Sequence, residues 1–169
     1  MSPVNTKEQF AELIESNKGI IYKVARLYAK NPDDRDDIFQ EIIIQLWKAF
    51  ERYDEQYKLS TWMYRIALNV AISFYRKDRK RIELESPLTE SMAEIADDND
   101  NSELDSNITL LQQFINELRE LDKALMILYL ESNSYKEIAD ILGITETNVA
   151  TKISRVKDQL KQKFATIRA

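Results

Sequence analysis

The sequence predicts an all-α protein: two small helical domains joined by a flexible acidic linker. Three observations carry that expectation. Glycine occurs twice and proline three times in 169 residues, so helix breakers are scarce. Apolar residues recur at three-to-four spacing, and no stretch shows the apolar–polar alternation of a half-buried strand. Charge is also partitioned. Residues 1–81 are net +3, residues 82–107 hold nine acids and no base, and residues 108–169 are net +1. The overall charge of −5 therefore belongs to one segment and does not argue against a nucleic-acid partner. The length suits one or two domains.

Composition removes several function classes. With no cysteine and no histidine, disulfides, thiolate zinc sites and histidine-based catalysis are excluded. No run approaches the ~20 apolar residues needed to cross a bilayer, and Met1 to Gln9 has no signal-peptide core. The default expectation is a cytoplasmic protein with no membrane insertion and no cofactor.

The first element reads as a capping box, Thr6 to Gln9, followed by Phe10, Leu13 and Ile14 at helical spacing. Asn17-Lys18-Gly19 is expected to weaken or break this helix before it resumes through Ile20, Ile21, Val24, Leu27 and Tyr28. A second helix, about Asp33 to Arg52, starts after Asn31-Pro32 with acids in its opening turn, which a cap, a pre-set proline and the helix dipole all favour. Ile38, Ile42, Ile43, Leu46 and Phe50 form its inner stripe, and Asp37, Gln40, Glu41, Ile44 and Lys48 lie on another face. The acids Asp33, Asp34, Asp36, Asp37 and Glu41 sit along one helix and do not converge as a metal cage requires, so no metal is expected.

The third helix begins near Ser60 or Thr61, with Met63, Ile66, Ala67, Val70 and Phe74 expected inside. Arg65, Asn69, Arg76 and Lys80 face away, with Trp62, Tyr64 and Tyr75 as aromatic company. The helix finishes in Arg76-Lys77-Asp78-Arg79-Lys80-Arg81, five bases against one acid. Bases interleaved with aromatics suit a nucleic-acid backbone carrying unstacked bases, each stacked base contributing roughly 1–3 kcal/mol. A solvated helix end is the plain alternative. Residues 82–107, with Pro87 and no sustained period, read as the linker between the domains.

The second domain opens near Asn107, with Ile108, Leu111, Phe114, Ile115 and Leu118 on one face, and continues in a strongly apolar helix from Leu121 to Glu131. Ser134 caps the next helix, which carries Ile138, Ala139 and Leu142. Gly143 makes the turn, Ile144 plugs the corner and Thr145 caps a last helix with Val149, Ile153, Val156, Leu160 and Phe164 inside. Helix, glycine turn, helix is a helix-turn-helix, whose second helix enters a major groove. An αα-hairpin without DNA shares that spacing. The outward set Thr147, Asn148, Thr151, Lys152 and Arg155 favours DNA, since Asn and Arg read purine edges at about 1–3 kcal/mol per bidentate pair. Lys152 and Arg155, then Lys157, Lys161 and Lys163, suit phosphates, and residues 145–169 hold six bases and two acids.

Several spaced segments resemble a known family. Asp37-Ile38-Phe39-Gln40-Glu41, Leu46-Trp47-Lys48-Ala49-Phe50, Tyr53-Asp54 and Thr61 through Asn69 look like region two of bacterial RNA polymerase sigma factors, most of all the small extracytoplasmic-function (ECF) group. Tyr135 through Ala139 and Asn148 through Arg155 look like region four, although Ala150 stands where many members have lysine. The resemblance covers nearly the whole chain in the right order.

The resemblance implies domains at 1–81 (region two), 82–107 (linker) and 108–169 (region four). It implies that Asp37, Gln40, Glu41, Ile44 and Lys48 dock the beta-prime clamp helices of core RNA polymerase. The turn Tyr53 to Ser60 would pocket a base flipped from the promoter's minus-ten element, with Tyr57, Trp62, Arg65 and Asn69 capturing it. Arg76, Lys77, Arg79 and Lys80 would hold phosphates upstream. Trp62 serves equally well as packing between helices, and Tyr53 and Tyr64 read as core. Thr147, Asn148, Thr151, Lys152 and Arg155 would read the minus-thirty-five element, with the domain resting on the beta flap. The linker would thread the polymerase, its acids imitating a nucleic-acid backbone, and an anti-sigma factor joins the candidate partners. No catalytic residue is expected. The competing readings are a dimeric helix-turn-helix regulator, a carboxylate-dependent nuclease, and a sigma-like adaptor without DNA contacts.

Overall fold

The computed structural model describes residues 3–53, 56–85 and 103–168, with side chains over 6–53, 56–80 and 106–167. Most of the expected acidic linker lies outside these residues, as do Asp54 and Glu55 of the expected base-capture turn. The described residues form seven α-helices in two units.

The first unit holds α1 (Pro3–Tyr28), α2 (Pro32–Phe50) and α3 (Leu59–Glu85), each packed on the other two. The α1 helix begins ahead of the expected cap, which puts Thr6 inside it. It also runs unbroken through Asn17-Lys18-Gly19. The Asn17 side-chain amide donates to the Leu13 carbonyl one turn back at 2.9 Å, and Lys18 pairs with Glu15 at 2.9 Å. Burial of Phe10 on one side of this stretch and of Ile21, Val24, Ala25 and Tyr28 on the other outweighs the local propensity cost.

The α2 start is built as expected. Asn31 is extended (φ −153°), its side-chain oxygen accepts from the Asp34 N–H at 2.8 Å, and Pro32 occupies the first turn. Ile38, Ile42 and Leu46 keep no exposure at all, each stabilising the fold by about 1.5–3 kcal/mol. Ile43 and Phe50 are only half-buried.

The inner face of α3 is rotated from the expected stripe. Met63, Tyr64, Ala67, Leu68 and Ala71 form its buried side, whereas Ile66, Val70 and Phe74 stay half-buried. The helix also starts ahead of Ser60 and extends past Arg81, so Thr61, 3% exposed, is an interior residue and not a cap. Lys30, beyond the end of α1, pairs with Asp78 of α3 at 3.4 Å and lies 6.0 Å from the Tyr75 ring, which meets Tyr28 edge-on at 6.2 Å.

The second unit comprises α4 (Glu103–Asn116), α5 (Glu120–Leu130), α6 (Tyr135–Leu142) and α7 (Glu146–Arg168). The α4 helix starts earlier than the expected Asn107. Helix α5 packs against all three others, and Ala124, Leu125, Met126 and Leu128 are buried. After α5 the backbone passes through Ser132 at φ 65°, and the Asn133 side chain donates to the Leu128 carbonyl at 3.0 Å.

A full capping box opens α6: the Glu137 N–H donates to Ser134 Oγ at 3.1 Å, and the Ser134 N–H donates to Glu137 Oε1 at 3.3 Å. Gly143 ends the helix at φ 71°, with its N–H on the Ala139 carbonyl at 2.8 Å. Thr145 Oγ1 then accepts from the Asn148 N–H at 3.1 Å and opens α7. Phe114 meets Phe164 edge-on at 5.0 Å, tying the far end of α7 to α4.

The two glycines predict opposite outcomes. A Cβ on Gly19 meets nothing within 4 Å in mid-helix, so Gly19→Ala should stabilise the first unit by about 0.5–1 kcal/mol. Urea titration followed by the fluorescence of Trp47 and Trp62, both in that unit, reads this. Gly143 also has open space but a left-handed backbone, so Gly143→Ala should destabilise its turn by about 1–2 kcal/mol, read as faster hydrogen exchange at Ile138 and Val149.

Candidate protein and nucleic-acid interfaces

With its apolar stripe turned inward, α2 shows Asp37, Gln40, Glu41, Ile44 and Lys48 to solvent. Ile44 is 45% exposed, a large aliphatic side chain among polar ones. The Gln45 amide donates to Glu41 Oε1 at 2.9 Å and fixes that carboxylate one turn back.

Beside this face lies a groove of about 830 Å³ between α2 and α3. Asp37, Gln40, Glu41 and Ile44 form one wall, and Asn69 and Lys77 stand on the other. Ile66, Val70 and Phe74 line it from α3 and Ala49 from α2, which accounts for their incomplete burial. Sequence reasoning missed the groove. Its signal was that α3 carries more apolar residues than one inward stripe can use.

Asn69 and Lys77 are thus brought to the α2 face. Arg65, Arg76, Arg79 and Lys80 are exposed along α3. Asp78, the acid within the basic run, turns to Lys30, and Tyr75 is committed to packing beside it.

At the other end of α3 the aromatics form a connected set. Trp62 lies 4.9 Å from the Tyr53 ring and 6.5 Å from Phe50, and Phe50 is 5.3 Å from Phe10. Trp62 is half-buried, so its packing role is real. Tyr57 is 38% exposed, and the Arg65 guanidinium carbon sits 5.5 Å from its ring centre. That pair offers both a flat apolar face and a cation to an approaching base.

In the second unit, Val149, Ile153 and Val156 are buried and turn the other side of α7 outward. Thr147, Asn148, Thr151 and Arg155 are exposed there, with Lys152 partly so. Two lysines expected on phosphate are otherwise engaged. Lys157 donates to the Tyr129 hydroxyl and lies 4.2 Å from that ring's centre. This hydrogen bond holds the Lys157 pKa above its usual 10.5. Lys163 pairs with Glu117 and lies 5.4 Å from the Phe114 ring centre. Both ties fasten α7 to its own domain.

Residues 13–81 match the family model of sigma-70 region 2, and residues 108–160 match that of sigma-70 region 4. The ECF RNA polymerase sigma factor SigW of Bacillus subtilis (strain 168) is 29% identical over 169 residues, covering 94% of this chain and 90% of the relative. RNA polymerase sigma factor SigV of the same strain is 29% identical over 151 residues, covering 89% and 87%.

Among solved structures, the sigma factor RpoE in complex with the anti-sigma factor NepR from Bartonella quintana has a TM-score of 0.66 at 20% identity, covering 94% of this chain and 95% of that one. CnrH in complex with the cytosolic domain of CnrY has a TM-score of 0.67 at 17% identity, covering 95% and 90%. At these identities the structures show a shared fold.

The chain belongs to the sigma-70 family of RNA polymerase sigma factors, within the ECF group. It is accordingly a transcription initiation factor and not an enzyme, directing core RNA polymerase to promoter DNA. No helix among the described residues is long and apolar enough to cross a membrane.

If Lys152 and Arg155 meet phosphate while Lys157 and Lys163 serve the fold, the pairs should separate in salt titrations of duplex binding. Lys152→Ala and Arg155→Ala should each reduce the slope of log K against log salt by about 0.9. Lys157→Ala and Lys163→Ala should leave the slope unchanged and speed hydrogen exchange in α7.

Proposed function

We propose that core RNA polymerase docks on the groove between α2 and α3 through Asp37, Gln40, Glu41 and Ile44, and on the α2 surface beside it through Lys48. The single observation supporting this is an acidic and amide wall facing a half-buried apolar lining within one cleft, which suits an amphipathic helix such as those of the beta-prime clamp. Ile44 supplies the apolar contact at the rim, and Asp37 and Glu41 set the sign of charge their partner must carry.

Region two, residues 1–81, then captures the melted minus-ten element. Tyr57 and Arg65 face a flipped base and Trp62 walls the pocket, while Asn69, one turn on from Arg65, lines the groove and offers its amide where the two sites meet. Extrusion costs a few kcal/mol of stacking and pairing, which such a pocket offsets. Arg76, Arg79 and Lys80 follow the backbone, and Lys77 stands between this duty and the groove.

Residues 82–107 tether the lobes. Residues 108–169 read the minus-thirty-five element through Thr147, Asn148, Thr151, Lys152 and Arg155, resting on the beta flap. The chain makes no bond: binding of the displaced strand offsets the cost of melting, and the polymerase joins nucleotides. An anti-sigma factor is a further partner, as one is for the RpoE neighbour. The place of action is the cytoplasm.

Runoff transcription with core polymerase on a randomised promoter library tests the whole reading. Enriched sequence at both promoter positions is expected, and association without any promoter selection would leave only an adaptor. Asp37→Lys combined with Gln40→Ala should weaken polymerase binding at least tenfold by reversing charge at the groove wall, roughly 1.4 kcal/mol or more. The same variant should keep its helical circular dichroism and its duplex affinity. Undiminished polymerase binding would move the interface to another face.

A further inference from the structure

We infer that Tyr53 is a positioning residue for base capture, its hydroxyl holding the backbone at Tyr57 so that the Tyr57–Arg65 pair faces an incoming base. The inference rests on the proposed role of that pair and goes beyond it, because Tyr53 itself reads from sequence as core.

The ring end of Tyr53 is anchored. Its N–H donates to the Phe50 carbonyl at 3.2 Å as the chain leaves α2. Its ring lies tilted against Trp62 at 4.9 Å, and Trp62 belongs to the packed set of Phe50 and Phe10. The other end reaches forward: the hydroxyl donates to the Tyr57 carbonyl at 3.2 Å. One side chain therefore links the first unit's aromatic cluster to the residue that stands out beside Arg65.

The hydroxyl is what makes this more than packing. A phenylalanine would supply the same ring to Trp62. The hydroxyl–carbonyl bond lies at an exposed position, where water satisfies both groups if it is lost, so its net worth to folding is small. Its effect is geometric. It restricts the position of the Tyr57 backbone, and with it the ring beside Arg65. A pocket discriminates between bases only as well as its walls are held in register, and a displacement of about 1 Å is enough to blunt a positioned site.

The test uses the full chain assembled with core polymerase, measuring runoff transcript from promoters that differ only at the captured base. Tyr53→Phe should lower the ratio of preferred to substituted promoter by about 3- to 10-fold, through the loosened position of the Tyr57 ring. Polymerase affinity, duplex affinity of the second domain and the urea midpoint should stay unchanged. Tyr57→Ala should lower the ratio further. Because Tyr53 acts through Tyr57, adding Tyr53→Phe to Tyr57→Ala should change nothing more.

If Tyr57→Ala reduces discrimination while Tyr53→Phe leaves it intact, Tyr53 is packing alone and the inference is overturned. Additive losses in the double variant overturn it too, since they would mean an independent contact. A silent Tyr57→Ala overturns the capture role itself, and the positioning role with it.

Discussion

Ile38, Ile42 and Leu46 fix how α2 is rotated about its own axis, and much of the first unit's outer surface follows from that. With those three side chains fully buried against α1 and α3, a 3.6-residue repeat leaves Asp37, Gln40, Glu41, Ile44 and Lys48 no direction but outward. The core thus decides which residues a partner meets. Losing one of those inner side chains would both open a cavity and free α2 to roll, which blurs the outer face as a whole.

The second unit reaches the same end by other means. Its α6 has eight residues, too few to persist alone, and is held by a capping box at one end and a left-handed glycine at the other. Those two end structures set the angle at which α7 departs, while Val149, Ile153 and Val156 set its rotation. Tyr129 and Glu117 then secure the middle and far parts of α7 through lysines. The opening turns of the helix carry Thr147, Asn148, Thr151 and Arg155 outward.

Much of this was legible in the sequence wherever one local rule acted alone. Asn31-Pro32, Ser134, Gly143 and Thr145 each name a helix boundary through chemistry confined to a few residues, and each stands where expected. Expectations failed where tertiary burial overrode local preference. Gly19 reads as a break, yet the helix is carried across it by apolar residues on both sides. Thr6 and Thr61 look like caps, but each falls inside a helix that starts earlier.

On α3 the three-to-four spacing cannot say which of two adjacent apolar stripes goes in, so Ile66, Val70 and Phe74 read as core and line a groove instead. The lysines of α7 show a related limit: composition counts charges without revealing which already have neighbours. The outward positions of α2 and, apart from the half-buried Trp62 and Lys152, those of α3 and α7 are exposed as expected, since each is opposite a buried stripe.

The lysine ties of α7 have a consequence for how strongly the second lobe holds DNA. Glu117 pairs with Lys163 and offsets that cation's charge, whereas Lys157, bonded to a neutral hydroxyl, keeps its own and still adds to the field of the lobe. On the proposed reading, a carrier that holds both lobes raises the local concentration of each binding partner for the other, so that the two weak grips act as one.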